Sequence, residues 1–163
     1  MDDTISIRGA NIQDIPDLIR LRRLMFEWMG NYEKAMLDNS DNENQKYFEK
    51  AIPDGSFRGW IALDDKKSVV GCGGLVIDQH PPGPTNPSGK IGYIMNISVE
   101  PSYRNKGIGK QILKEILIYL RKIEITLVSL HASKMGKNVY KRVGFEETNE
   151  MRINLSKIDI LNL

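Results

Sequence analysis

Cysteine is nearly absent: Cys72 is the one thiol in 163 residues, so no intramolecular disulfide can staple the fold. That usage fits a reducing compartment, and a cytoplasmic location is expected. Histidine is scarce too. His80 and His131 are the only two, and neither stands in a metal-ligand spacing, so no metal site is expected. Neither sign of charge dominates. Lys and Arg total 23 against 21 Asp and Glu, and a formal charge of +2 is too small to argue for nucleic acid or a membrane surface. No apolar run approaches the roughly 20 residues of a membrane-spanning helix. The start, Met1-Asp2-Asp3-Thr4, lacks the basic and apolar regions of a secretory signal, and none is expected. What remains is an ordinary globular composition, 40% apolar and 27% charged, enough for one core and one domain over residues 1–163.

Periodicity gives the order of elements. Ile5 and Ile7 alternate with polar neighbours, which predicts a strand over residues 4–10. Asn11 or Asp14 then caps a helix running to Met29; Asp14 is the more attractive choice because it leaves Pro16 in the first turn. Ile15, Leu18, Leu21, Met25 and Trp28 recur at helical spacing as its core stripe. Residues 30–50 are polar and asparagine-bearing and read as a loop and a short helix. Residues 57–63 and 68–77 read as a hairpin around Asp64-Asp65-Lys66-Lys67. Gly71, Gly73 and Gly74 mark a bulge or a close backbone approach in its second strand. Four prolines in residues 78–90 exclude a regular element there.

Residues 90–99 predict a strand with Ile91, Tyr93, Met95, Ile97 and Val99 on one face. Ile108, Ile112, Ile116, Leu120 and Ile123 predict the next helix, and residues 124–131, apolar on both faces, predict a strand covered on both sides. Strand, helix and strand make a parallel pair. A helix over residues 134–143 and a strand over residues 146–155 complete the expectation. The class is α/β, with a mixed sheet that is antiparallel early, parallel in the middle and antiparallel at the end.

The chemistry concentrates where residues 96–99 meet Pro101 and the turn Arg104-Asn105-Lys106-Gly107-Ile108-Gly109-Lys110. A strand–turn–helix of this kind aims unpaired N–H groups and the positive end of a helix dipole at one point, an anion site suited to phosphate. Two familiar phosphate loops are excluded. Ile112 stands where a dinucleotide fingerprint needs its third glycine, and Gln111 stands where a Walker loop needs Ser or Thr.

Arg104-x-x-Gly107-x-Gly109 resembles the acyl-CoA-binding motif of the GNAT superfamily of N-acetyltransferases, Q/R-x-x-G-x-G/A. Downstream, Leu130-His131-Ala132-Ser133-x-x-Gly136-x-x-x-Tyr140 with Gly144-Phe145, followed by Thr148-Asn149-Glu150-Met151, is similar to one bacterial branch of that family. The order of elements matches as well, so the resemblance covers essentially the whole chain. It implies a mostly antiparallel mixed sheet with a central parallel pair, flanked by helices.

By that resemblance the backbone of Arg104, Asn105, Lys106, Gly107, Ile108, Gly109 and Lys110 would hold the pyrophosphate of acetyl-CoA. Ile97, Ser98 and Val99 would pair with its pantetheine arm, and Ser133, Gly136 and Lys137 would flank it. Tyr140 is the candidate acid for the departing thiolate: a phenol and a thiol have ordinary pKa values of about 10 and about 8.5, close enough for proton donation. Glu27, Tyr93 and Asn96 are candidates on the acceptor side, and the general base is left open among them and a water ordered by Asn96 or Ser98. Cys72, alone in an apolar strand, reads as a small buried hydrophobe. The implied partner is a small-molecule or peptide amine, with a homodimer as a compatible assembly and no nucleic acid or membrane. The implied activity is acetyl transfer from acetyl-CoA to a primary amine. The competing reading is a non-catalytic CoA-binding sensor on the same fold, and residues 24–55 and 78–90 carry no motif that names an acceptor.

Overall fold

The computed structural model describes residues 4–157, which form two compact units, one up to His131 and one from Ala132 onward. The leader expectation, read from the first residues, falls mostly outside the described part. In the first unit the order is β1 (Ser6–Gly9), α1 (Ile15–Met29), α2 (Lys34–Ala51), β2 (Phe57–Leu63), β3 (Val69–Gln79), β4 (Lys90–Val99), α3 (Ile108–Lys122) and β5 (Val128–Leu130). The five strands lie in sequence order in one sheet, antiparallel from β1 to β4 and parallel between β4 and β5. This is the expected mixed α/β architecture.

Asp14 holds the N-cap position of α1, with Pro16 in the first turn, but makes no side-chain cap bond; Ile12–Asp14 form a 3-10 turn just before, and that turn is capped by Asn11. Asn11 Oδ1 accepts the Gln13 N–H at 2.8 Å, while the Asp14 carboxylate accepts the Asn11 N–H at 2.8 Å. Asp14 is thereby buried, and the Arg8 guanidinium grips it with two bonds of 2.8 and 3.0 Å. Burial alone would raise the Asp14 carboxyl, but these hydrogen bonds outweigh it and hold it below the usual carboxylate range. The α1 stripe is buried at Ile15, Leu18 and Leu21, but Trp28 is 57% exposed. Its amphipathic ring serves as a platform for Arg104 instead of joining the core.

α2 is not short. It runs 18 residues despite its asparagines, because charged and amide side chains at i,i+3 and i,i+4 lace its surface. Lys34–Asp38 and Lys46–Glu43 pair at 2.6 and 2.7 Å, and Gln45 donates to Glu49 at 2.6 Å. Leu37, Phe48 and Ala51 supply its buried face.

The sheet has a core on each side. Ile15, Leu18, Leu21, Phe48, Ala51, Phe57, Ile61 and Cys72 form the α1–α2 side. On the other, α3 buries Ile108, Ile112, Leu113, Ile116 and Leu120, each contributing roughly 1.5–3 kcal/mol before entropy is counted. The glycines of β3 make this approach feasible. A Cβ on Gly73 would sit 2.5 Å from Ile112 Cγ2, so the close neighbour is a helix side chain, not another backbone.

β4 does not keep one face. Gly74 lies opposite Met95 but Cys72 lies opposite Ser98, so Asn96 and Ile97 together oppose Gly73: a β-bulge, with Asn96 at φ 58°. The extra residue inverts the alternation. Tyr93, paired with Val76, and Met95 face the α1–α2 core, whereas Ile97 and Val99 face α3.

β5 is shorter than expected and half-buried throughout. The expectation placed Glu124 in the strand, but it is the left-handed cap of α3. Its φ is 60°, its N–H donates to Arg121 C=O at 3.1 Å, and Ile125 N–H donates to Leu120 C=O at 3.0 Å. A glutamate in this conformation is strained by its Cβ. Glu124→Gly is therefore expected to stabilise the protein by about 0.5–1 kcal/mol. The denaturation midpoint reads this out, and an unchanged or lower midpoint would contradict it.

The second unit holds α4 (Lys137–Val143), which ends at Gly144 with φ 114°, and a 3-10 turn at Leu155–Lys157. The strand expected over residues 146–155 does not form. Met151, Ile153 and Leu155 alternate as a strand would, but no ladder partner meets them among the described residues, and Met151 is 94% exposed. Period two marks the faces of a strand without supplying the neighbour that its backbone needs. With no strand there, β5 lies at the sheet edge. No helix among the described residues is long and apolar enough to cross a membrane.

Candidate active site

The parallel pairing of β4 with β5 stops at Ile94↔Leu130. From Met95 to Val99, β4 has β3 alone as a strand partner among the described residues. Glu100 N–H donates to Val70 C=O at 2.8 Å. Backbone groups alternate sides along a strand, so Ser98 also turns toward β3, while Ile97 and Val99 turn to the open edge. Arg104 Nε takes the Val99 C=O at 3.1 Å. The Ile97 N–H and C=O and the Val99 N–H remain as an exposed half-ladder. Ser98 is itself buried, opposite Cys72.

The open edge runs into the expected anion turn. Pro101–Tyr103 forms a 3-10 turn, Asn105 and Gly107 take left-handed conformations at φ 61° and 78°, and α3 begins at Ile108. The first intrahelical bond of α3 is Gln111 N–H to Gly107 C=O at 3.0 Å, and the helix has no side-chain cap. The N–H groups of Ile108, Gly109 and Lys110 therefore precede the ladder, at the positive end of the helix dipole. A Cβ at Gly109 would meet Ile97 and Val99 at 3.6 and 3.9 Å, ordinary contacts. The basic side chains are held locally. Arg104 stacks on Trp28 at 4.1 Å, Lys106 lies 5.0 Å from the Tyr103 ring, and Lys110 is exposed.

Sequence reasoning missed the anchor of this turn. Asp64, expected in the turn of a hairpin, is buried. It accepts the Tyr103 hydroxyl at 2.9 Å and the Ser68 N–H at 2.8 Å, tying the 3-10 turn to the β2–β3 connection. Arg22 was also missed. Its Nη1 donates to Asn96 Oδ1, and its guanidinium lies 4.8 Å from the centre of the Phe26 ring. An Arg among leucines on a helix gives no sign of which strand residue it will meet.

Of the acceptor-side candidates, Asn96 is buried within the bulge and Tyr93 is half-buried before it. Glu27 is ion-paired with Arg23 at 3.1 Å, and Arg23 also holds Asp38 and Asp41. Cys72 is the expected buried hydrophobe. Its Sγ–H donates to Asn96 C=O at 3.2 Å, and burial pushes the thiol up to about 12, far from a thiolate nucleophile.

In the second unit, Ser133 Oγ accepts the Gly136 N–H at 3.1 Å and Ser133 C=O accepts the Lys137 N–H at 3.0 Å. This turn delays α4 to Lys137. Gly136 has no Cβ because one would sit 2.9 Å from the Tyr140 ring. The Tyr140 ring meets Phe145 edge-on at 5.8 Å, and its hydroxyl has no hydrogen-bond partner among the described residues. Burial raises the Tyr140 phenol above the ordinary tyrosine range. Lys137 and Lys141 both pair with Glu147.

An open strand edge leading into an uncapped helix start is the arrangement that the motif implied. The model of the acetyltransferase (GNAT) family matches residues 19–145. The chain belongs to the GNAT acetyltransferase family.

Solved GNAT relatives match nearly end to end. A predicted acetyltransferase from Clostridium acetobutylicum, solved with acetyl-CoA, is 28% identical with a TM-score of 0.87, over 95% of this chain and 99% of that one. A GCN5-related N-acetyltransferase from Ralstonia eutropha is likewise 28% identical with a TM-score of 0.87, over 94% and 99%. A curated glucosamine 6-phosphate N-acetyltransferase from Trypanosoma brucei brucei is 30% identical over 88 residues, 53% of this chain. The chain spans 58% of that relative's length.

Proposed function

We propose that this GNAT protein moves the acetyl group of acetyl-CoA to a primary amine by direct attack in a ternary complex. The observation that carries the reading is the half-ladder of Ile97 and Val99 on the open edge of β4, leading to the turn where the N–H groups of Ile108, Gly109 and Lys110 precede the α3 ladder. A ligand with amides along an extended arm and a doubly charged anion at its end satisfies both. The pyrophosphate lies on the turn from Arg104 to Lys110, and the pantetheine pairs with Ile97 and Val99. Ser98 supports this edge from the β3 side. The family motif adds Ser133, Gly136 and Lys137 beside the cofactor.

Pairing along Ile97 brings the thioester toward the bulge. The amine nitrogen attacks the carbonyl carbon, and the Ile97 N–H stabilises the developing oxyanion. The carbon–sulfur bond then breaks, the thiolate takes the Tyr140 phenolic proton, and water receives the proton lost by the amine. Asn96 fixes the bulge, and Tyr93 and Glu27 border the acceptor side.

The test is thiol release from acetyl-CoA against a panel of polyamines, aminoglycosides, amino sugars, amino acids and basic peptides. Release that depends on one amine class, matched by the acetylated amine, is expected. Tight CoA binding with no turnover on any amine would leave a CoA-binding sensor instead.

A further inference from the structure

α1 carries three arginines whose surroundings differ. Arg20 pairs with Asp17 and Glu100, and Arg23 pairs with Glu27, Asp38 and Asp41. Arg22, between them in sequence, has no carboxylate partner among the described residues. Asn96 Oδ1 accepts from its Nη1, and its buried Nε has no hydrogen-bond partner among the described residues. The titratable groups that act on its charge are Cys72 and Tyr47, and burial raises both, so each stays protonated and neutral. An arginine stays charged, and placing a charge out of water without a counter-ion is costly. The cost is sensible where a ligand brings the missing charge. Phe26 lies against the guanidinium, 4.8 Å from its carbon to the ring centre, and the Nη donors that Asn96 leaves suit a planar or tetrahedral oxyanion.

The position of Arg22 says which ligand. Its partner Asn96 opens the unpaired stretch of β4 on the α1–α2 side, whereas the basic turn lies beyond the strand's other end. Resting on the acetyl-transfer reading, that is the acyl end of the cofactor path, not its phosphate end. We infer that Arg22 binds an anionic group, phosphate or carboxylate, carried by the amine acceptor, so that the preferred substrates are amines bearing an oxyanion.

Matched pairs test this on the full chain: glucosamine 6-phosphate against glucosamine, and glycine against glycinamide. For at least one pair the oxyanion-bearing member is expected to show kcat/KM roughly 10- to 100-fold higher, mainly through KM. Arg22→Gln should bring that ratio near one, and Arg22→Lys, with charge but no fork, should keep only part of it. The pair that responds distinguishes phosphate from carboxylate. A wild-type ratio near one, a ratio retained in Arg22→Gln, or equal losses for both members would overturn the inference, the last by showing that Arg22 only holds the bulge. If Arg22→Gln does not fold, an unchanged ratio in Arg22→Lys would likewise overturn it.

Calorimetric titration of the same probes into the CoA-loaded protein separates the two readings. Tighter binding of the oxyanion-bearing member, lost in Arg22→Gln, without acetylation would uphold the anion site and defeat the transferase reading. Acetylation with no oxyanion preference would do the reverse, and no difference in binding or turnover would overturn the anion site.

Discussion

Tyr140→Phe is expected to cut kcat by about 10²- to 10⁴-fold, the range for loss of a positioned general acid, and to leave the Kd for acetyl-CoA nearly unchanged. Phenylalanine keeps the ring that meets Phe145 edge-on and lies across Gly136, so the local packing survives. Only the hydroxyl goes. That hydroxyl makes no hydrogen bond among the described residues, and burial raises its pKa, so the phenol holds its proton until something basic arrives. A thiolate forming as its carbon–sulfur bond breaks takes that proton within the same step, although free in water it is the weaker base. The protonated form is the active one, so the alkaline limb of the wild-type kcat profile should fall above the ordinary tyrosine range and be absent from the variant. Equal turnover by the variant would remove Tyr140 from the mechanism.

Gly107→Val is expected to weaken CoA binding roughly 10- to 100-fold, whereas Gly109→Ala should be tolerated. The two glycines look alike in the motif but differ physically. A Cβ on Gly107 meets nothing within 4 Å, yet its φ of 78° is a conformation that β-branched side chains resist. Forcing it costs about 1–2 kcal/mol in the turn itself, and relaxation would turn the following N–H groups away from a shared anion. Gly109 has ordinary helical geometry, and its added methyl would find Ile97 and Val99 at van der Waals distance. Calorimetric titration with CoA reads both variants. Similar losses in the two would mean that space, not backbone conformation, is what the turn requires.

Much of this architecture was legible in the sequence because its signals are local. β2, β4 and the start of α3 follow from alternation, Pro101 and the Ile108–Leu120 stripe. The turn before α3 was legible because a glycine-bearing turn and an uncapped helix start are properties of a few adjacent residues. What escaped depends on partners distant in sequence. The bulge at Asn96 flips Ile97 and Val99 to the α3 face, and no periodicity in β4 alone announces it. Arg22 meets Asn96 and Asp64 meets Tyr103 only once the chain has folded. Glu124 was misread because a left-handed helix cap normally advertises itself with glycine. The strand over residues 146–155 was misread because alternation says nothing about a ladder partner.

The open edge of β4 and the first turn of α3 are together expected to bind CoA. Amide hydrogen exchange with and without CoA tests it residue by residue. Protection is predicted at the Ile97 and Val99 N–H groups and at Ile108, Gly109 and Lys110, with Ser98, already turned to β3, unchanged. CoA that binds without slowing exchange at Ile97, Val99 and the α3 N-terminus would place its site elsewhere on the protein.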